Sequence, residues 1–165
     1  MATNHQSSAR DLTSDSETRV HQDDHIALRL WLRLLTCTNL IETQLRSRLR
    51  TEFDTTLPRF DLLAQLDREP DGLTMGMLSK RMMVSGGNVT GLVNQLLKDG
   101  YITKTAHPDS GRTFVVSLTK SGRAVFKAMA EEHEAWVQGM FAQLSEEQMQ
   151  QLMTSLAGLK KSAGK

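Results

Sequence analysis

Apolar residues recur at three- and four-residue steps through Ile26, Leu30, Leu34, Cys37, Ile41, Leu45 and Leu49, with no Pro or Gly in the run. That spacing lines one face of an α-helix and predicts a helix over about 26–53. A second apolar set, Leu28, Trp31, Leu32 and Leu35, covers another side of the same helix, where an ordinary surface helix carries one stripe. Two apolar faces imply burial on more than one side. Burial against a second copy, a place in the wall of a ligand pocket, and deep burial within one domain all satisfy the pattern.

Downstream the pattern breaks into shorter elements. Pro58 suits the first turn of a helix whose apolar residues are Phe60, Leu62, Leu63 and Leu66, and Glu69-Pro70-Asp71-Gly72 ends it. Thr74 is placed to cap a short helix over Met75 to Met82. Val84-Ser85-Gly86-Gly87 makes a turn, and Ser85 can cap the next helix, from about Gly87 to Lys98, with Val89, Leu92, Val93, Leu96 and Leu97 inward. Asp99-Gly100 closes that helix at a glycine. Two strands follow, Tyr101 to Ala106 and Arg112 to Leu118, the second placing Phe114, Val116 and Leu118 on one face, with His107 to Gly111 as the turn. A long helix then runs from Thr119 or Lys120 to about Gln143, with His133, Trp136 and Met140 in its apolar series. Ser145 opens a last helix as a capping box with Gln148. The hairpin is too small to stand alone and has to lean on the helices.

Residues 1–24 are rich in Ser, Asp, Thr and Gln, too polar to offset the entropy of ordering, and are expected to be a disordered tail. Within it His21 stands four residues before His25, a spacing that could hold a metal on a helix, but no third ligand is in place; no metal and no cofactor are expected. Cys37 is the single cysteine, so no disulfide can form within the chain. No apolar run approaches a membrane span, and no secretion signal opens the chain, which points to the cytoplasm. There is no Gly-rich phosphate loop, no carboxylate cluster and no Ser-His-Asp arrangement, so an enzyme is not expected.

Charge changes the picture by where it lies. Thr74 to Arg123 holds seven cations against two acids, a local +5 in a chain whose total is +1. A basic block in an acidic frame is the footprint of a surface for a polyanion. It coincides with the two short helices, whose tight glycine-containing junction fits a helix-turn-helix. In that motif the second helix enters the DNA major groove. Asn88, Asn94 and Gln95 turn away from its apolar face, and their amides suit base edges because they donate and accept. Ser85 and Gly87 open the helix, where backbone N–H groups can approach a phosphate. With Thr90 and Lys98 these residues are the candidate DNA contacts on the helix. The hairpin that follows reads as a wing, and Arg112 near its tip can enter the narrow minor groove, with Asp109 close enough to orient it.

These residues resemble the MarR family of winged-helix transcription regulators over about 26–160. The resemblance is carried by LTMGMLSKRMMVSGGNVTGLVNQLLKDGYI, by the wing DSGRTFVVSLTKSGR, and by the long terminal helices. Arg112, Leu118, Thr119 and Gly122 supply the wing pattern. The chain departs from the family at Ser110, where Asp is usual, at Gly111, where a second wing Arg is usual, and at Gly91, where Arg is frequent. The resemblance implies a mainly α fold with a two-stranded β-wing, a winged helix-turn-helix at 58–119, and a homodimer formed by the N- and C-terminal helices at 25–57 and 120–165. It implies double-stranded DNA with a pseudo-palindromic operator as partner. Within the family the chain is most similar to regulators of aromatic-acid breakdown, some of which respond to aromatic acyl-CoA thioesters. Arg29 and Arg33 could then meet a carboxylate or CoA phosphates, Trp31 could stack on an aromatic ring, and Phe60, Trp136 and Met140 could complete an apolar wall; Trp and Met at this spacing also serve as ordinary core. Two other readings compete: a redox sensor using Cys37, whose place on the apolar series favours a buried, inert thiol, and a winged helix that binds protein.

Overall fold

In the computed structural model, residues 25–107 and 110–164 are described, with Gly111 and Arg112 as backbone only. The element order is α1 (Ile26–Phe53), α2 (Leu57–Asp67), β1 (Leu73–Thr74), α3 (Met75–Met82), α4 (Gly86–Lys98), β2 (Ile102–His107), β3 (Ser110–Leu118), α5 (Lys120–Phe141) and α6 (Glu146–Ala163). The chain divides into two units, Met1–Gln44 and Leu45–Lys165, with the boundary inside α1.

In the first unit, Ile26, Leu28, Leu30, Trp31, Leu35 and Leu40 are between 40% and 82% exposed. Deep burial of this helix within a single chain, one of the three expectations for its two apolar faces, is therefore overturned. Cys37 is likewise exposed in the single chain, so its own chain does not bury the thiol as expected, although Leu34 and Ile41 on the same series are half-buried.

The second unit holds the core. Leu49, Leu62, Leu63, Leu66, Leu73, Leu78, Val89, Val93, Leu96 and Val116 are each no more than 1% exposed. They come from the end of α1, from α2, α3 and α4, and from the sheet, so the small sheet is stabilised by helices on its apolar face. The sheet has three strands in the order β1-β3-β2, not two. β1 is only Leu73 and Thr74, antiparallel to Val116 and Val115, too short for any alternation to show in sequence. Gly72 leads into it with φ 83°, and a Cβ there would lie 2.2 Å from Ser117 Oγ; only glycine satisfies both demands.

The hairpin is tighter than expected. β2 reaches His107 and β3 resumes at Ser110, with a register shift at Ala106/His107: Ala106 faces Phe114 while His107 faces Ser110. Ser110 and Gly111, expected in the turn, belong to the bulged start of β3, and Arg112 lies in that strand as its sequence predicts. Phe114 shares a face with Val116 but is 42% exposed, because β3 there runs past the core; the Lys104 ammonium covers its ring at 4.6 Å. The last helix begins as its sequence predicts, with Ser145 Oγ accepting from Gln148 N and Gln148 Oε1 accepting from Ser145 N. Leu152, Met153, Leu156 and Leu159 are 39–59% exposed along it.

Candidate nucleic-acid interface

Two caps set the helix pair. Thr74 Oγ1 accepts from Met77 N at 3.3 Å and starts α3. Met83 stops it in the left-handed region at φ 54°, its N–H turned back to the carbonyls of Ser79 and Lys80. Ser79 Oγ donates to the Val84 carbonyl at 2.6 Å, which locks the turn. Ser85 Oγ then accepts from Asn88 N and opens α4. Val89, Val93 and Leu96 are fully buried, and that inward stripe fixes what faces out. Ser85, Gly87, Asn88, Gly91, Asn94, Gln95 and Lys98 are all exposed, at the spacing of one continuous outer face. Thr90 is exposed too, but its hydroxyl donates to the Gly86 carbonyl, leaving the methyl as its outward group.

The end of α4 is joined to the wing. Gly100 at φ 71° and Tyr101 donate their N–H groups to Leu97 and Leu96 carbonyls, a Schellman closure. Thr119 Oγ1 donates to the Gly100 carbonyl at 2.8 Å and accepts from Gly122 N at 2.9 Å. Thr119 N donates to the Tyr101 carbonyl. One threonine thereby ties the end of α4, both strands of the hairpin and the start of α5. Gly122 is required because a Cβ there would sit 1.8 Å from the Tyr101 oxygen. This is the physical content of the Leu-Thr and Gly in the wing pattern.

The basic block is less free than its composition indicates. Arg81 pairs with Glu69 at 2.7 Å and Arg123 with Asp67 at 2.7 Å. Asp99, at the end of α4, is held by Arg59. These ties brace the helices against α2, and they are non-local in sequence. The orientation of Arg112 by Asp109 lies outside the described residues, as does the His21 part of the His21/His25 pair. Among the described residues no group of three His, Cys, Asp or Glu is placed to hold a metal, and no helix is long and apolar enough to cross a membrane.

A groove of about 350 Å³ opens between α2, α3 and α5, lined by Phe60, Asp61, Ala64, Gln65 and Arg68, by Arg81 and Met82, and by His133. Phe60 stacks on His133 with ring centres 4.6 Å apart and touches Phe126 at 5.6 Å. A larger hollow of about 1040 Å³ is lined by Ser145 and by α6 residues, the acidic Glu146 and Glu147 among them, with no Lys or Arg on the lining. Of the expected ligand contacts, Phe60 borders the groove. Trp136 is 6% exposed, its ring against Phe53 at 6.2 Å and under the Arg48 guanidinium at 5.5 Å, an ordinary core position. Met140 is half-buried, while Arg29, Trp31 and Arg33 belong to the first unit and are exposed. Arg68, Arg81, Gln65 and His133 were not singled out from sequence as groove residues; His133 was legible as a polar residue in an apolar helical series, the two arginines were not.

Burial pushes the His133 imidazole below its usual pKa, since desolvation disfavours the cation. The unfolded chain then binds more protons than the folded one between the lowered folded value and about 6.5. Stability contributed by neutral His133 is present above that window and lost as pH falls through it. Melting at pH 7.5 and 5.5 should show a larger acid-side loss for the natural protein than for His133→Phe; equal losses would refute the assignment.

The residues 53–113 match the model of the MarR family. A MarR family transcriptional regulator from Silicibacter pomeroyi is 36% identical, with a TM-score of 0.72 over 83% of this chain and 94% of that one. An uncharacterized HTH-type transcriptional regulator of Bacillus cereus is 30% identical over 135 residues, 82% of this chain and 88% of its own. The fold also matches S. aureus MepR, solved as a DNA complex, at a TM-score of 0.71 and 24% identity over 79% of this chain and 95% of that one. With the helix pair, the wing and the Thr119 junction in place, and with relatives of this identity matched over nearly their whole length, the chain belongs to the MarR family of transcriptional regulators.

Proposed function

We propose that the protein is a homodimeric repressor that binds a pseudo-palindromic operator and leaves it when an aromatic acid or its CoA thioester binds. The observation that carries this is the continuous exposed polar face of α4, with amides at Asn88, Asn94 and Gln95 and a cation at Lys98, packed directly on the cationic hairpin. Asn and Gln read base edges in the major groove, Ser85 and Gly87 bring the helix N-terminus to a phosphate, Thr90 offers its methyl, and Arg112 on the wing enters the minor groove. The likeness to a chain solved on DNA supports the same use of the fold. Residues 58–119 form the DNA-binding region in this reading, and 25–57 with 120–165 form the dimer, each exposed apolar stripe covered by a second copy. The protein works in the cytoplasm, beside the DNA.

The groove beside Phe60 supports an anionic aromatic effector: stacked rings form one wall and guanidinium groups border it. Taken by itself, the first unit offers Arg29 and Arg33 as proposed contacts for a carboxylate or CoA phosphates and Trp31 as a proposed stacking surface, and Trp136 and Met140 are proposed as apolar contacts of the second unit. The effector has to bind the released shape more tightly than the DNA-competent one, since equal affinity shifts nothing.

The test is fluorescence anisotropy on the duplex upstream of the protein's own gene, with aromatic acids and their CoA esters added. Release by at least one of them is expected; retention with all of them would sink the effector reading. Arg112→Ala should cost about 1–3 kcal/mol of operator binding and flatten the salt dependence by about one phosphate contact, and an unchanged affinity and slope would count against the wing. A second reading is a regulator in which peroxide converts the Cys37 thiol to a sulfenic acid with release of water; the thiol is exposed in the single chain, and the reading requires that the second copy leave it open. Operator release by peroxide that Cys37→Ser abolishes would support it, and release that persists in the variant would exclude it.

A further inference from the structure

We propose that Glu69 is a built-in competitor for the effector's carboxylate: it holds Arg81 in the ligand-free chain, and an aryl carboxylate entering the α2–α3–α5 groove takes Arg81 from it. The proposal deepens the effector reading above and rests on it. Three observations converge. Arg81 is part of the groove lining, yet its Nη2 is spent on Glu69 Oε1 at 2.7 Å, and Glu69 is not part of that lining. The guanidinium therefore stands between an internal carboxylate on one side and an open cavity on the other. Arg68 lines the same groove, so an anion arriving there meets two guanidinium groups, while half-buried His133, stacked at 4.6 Å on the buried Phe60, offers its imidazole to the apolar part. Asp61 is on the same lining, and its carboxylate disfavours an anion bound close to it.

Arg81 is also well placed to transmit the exchange. It lies in the last turn of α3, between Lys80, whose carbonyl accepts from Met83 N, and the turn that Ser79 locks through Val84. The next residue, Ser85, caps α4. Glu69 follows Arg68, the C-cap of α2, so the ion pair fastens the end of α3 to the end of α2. Once Arg81 turns into the groove, that fastening is lost and the junction that aims α4 is freed. The pair is about one-third exposed on each side, so it is weak enough to be displaced by a ligand that brings its own carboxylate and buries an aromatic ring.

The test is calorimetry of the full chain with benzoate and with its neutral counterpart benzamide. Glu69→Gln should bind benzoate about 2–5-fold more tightly than the natural protein, the range set by the worth of a part-exposed pair, with benzamide unchanged. Arg81→Gln should lose about tenfold or more in benzoate affinity, the scale of a charged hydrogen bond. No benzoate binding by either the natural protein or Glu69→Gln, no gain in Glu69→Gln, or an equal gain for benzamide would each overturn the exchange. Operator affinity is read separately. Ligand-free Glu69→Gln should bind the operator several-fold more weakly, and full affinity would overturn the release step. If the natural protein bound no operator at all, the regulatory reading would fail while the calorimetry still decided the exchange.

Discussion

Gly122→Ala should be among the most destabilising single-methyl changes in the protein. The added carbon would meet the Tyr101 carbonyl oxygen at 1.8 Å and its carbon at 2.7 Å. Both are backbone atoms, so no side-chain rotation relieves the overlap. The carbonyl also accepts from Thr119 N, and Gly122 N is bonded to Thr119 Oγ1, so any shift breaks the tie between α4, the wing and α5. Overpacking of this kind costs about 1–3 kcal/mol and sometimes more; the upper end is expected here, a fall in melting temperature of roughly 6–12 °C. Gly91→Ala supplies the contrast. A Cβ at Gly91 meets nothing within 4 Å, and Ala in a helix interior is favoured over Gly by about 1 kcal/mol, so its melting temperature should rise. Calorimetric melting of the two variants decides the matter: a Gly122→Ala protein that melts with the natural one would contradict the account of the junction.

Breaking the exposed stripe of α6 should abolish tight operator binding without touching the DNA-facing surface. Leu152, Met153, Leu156 and Leu159 are 39–59% exposed in the single chain, a contiguous apolar strip of the kind that marks an interaction site. Leu152→Glu with Leu156→Glu places two charges where the second copy is proposed to pack, and burying them unpaired is prohibitive. The natural protein should sediment at the mass of two chains and the variant at the mass of one. Two half-sites held together gain about 10²–10⁴ in avidity over one, so operator affinity should fall at least about 100-fold. A variant that stays dimeric, or a monomer that keeps full affinity, would contradict the proposal.

What could be read from the sequence was local. Thr74, Ser85 and Ser145 announce their helices because a cap is a hydrogen bond within three residues, and each is made as its spacing predicts. Val89, Val93 and Leu96 identify the inner face of α4 and so its outer one. Non-local features were illegible. The third strand is two residues long and exists only because Val115 and Val116 lie beside it. The pairing of Arg81 with Glu69 and of Arg123 with Asp67 spans 12 and 56 residues, and no pattern in composition carries it; the local +5 counted both arginines as available. Cys37, on the apolar series of α1, is exposed in the single chain for a related reason. Helical periodicity says which face a residue shares, not whether its own chain or another covers that face. The same limit separated Phe60, which borders a groove, from Trp136, which fills a core.

In the proposed function α4 and the wing act as one surface shaped to duplex DNA. The direct measurement is the affinity of the purified full-length protein for the duplex upstream of its own gene and for a shuffled duplex of the same length, each across a salt series without effector. Binding to the upstream duplex at least about 10³-fold tighter at physiological salt, with affinity falling steeply as salt rises, is the expected result. Equal affinity for the two duplexes at every salt concentration would contradict it.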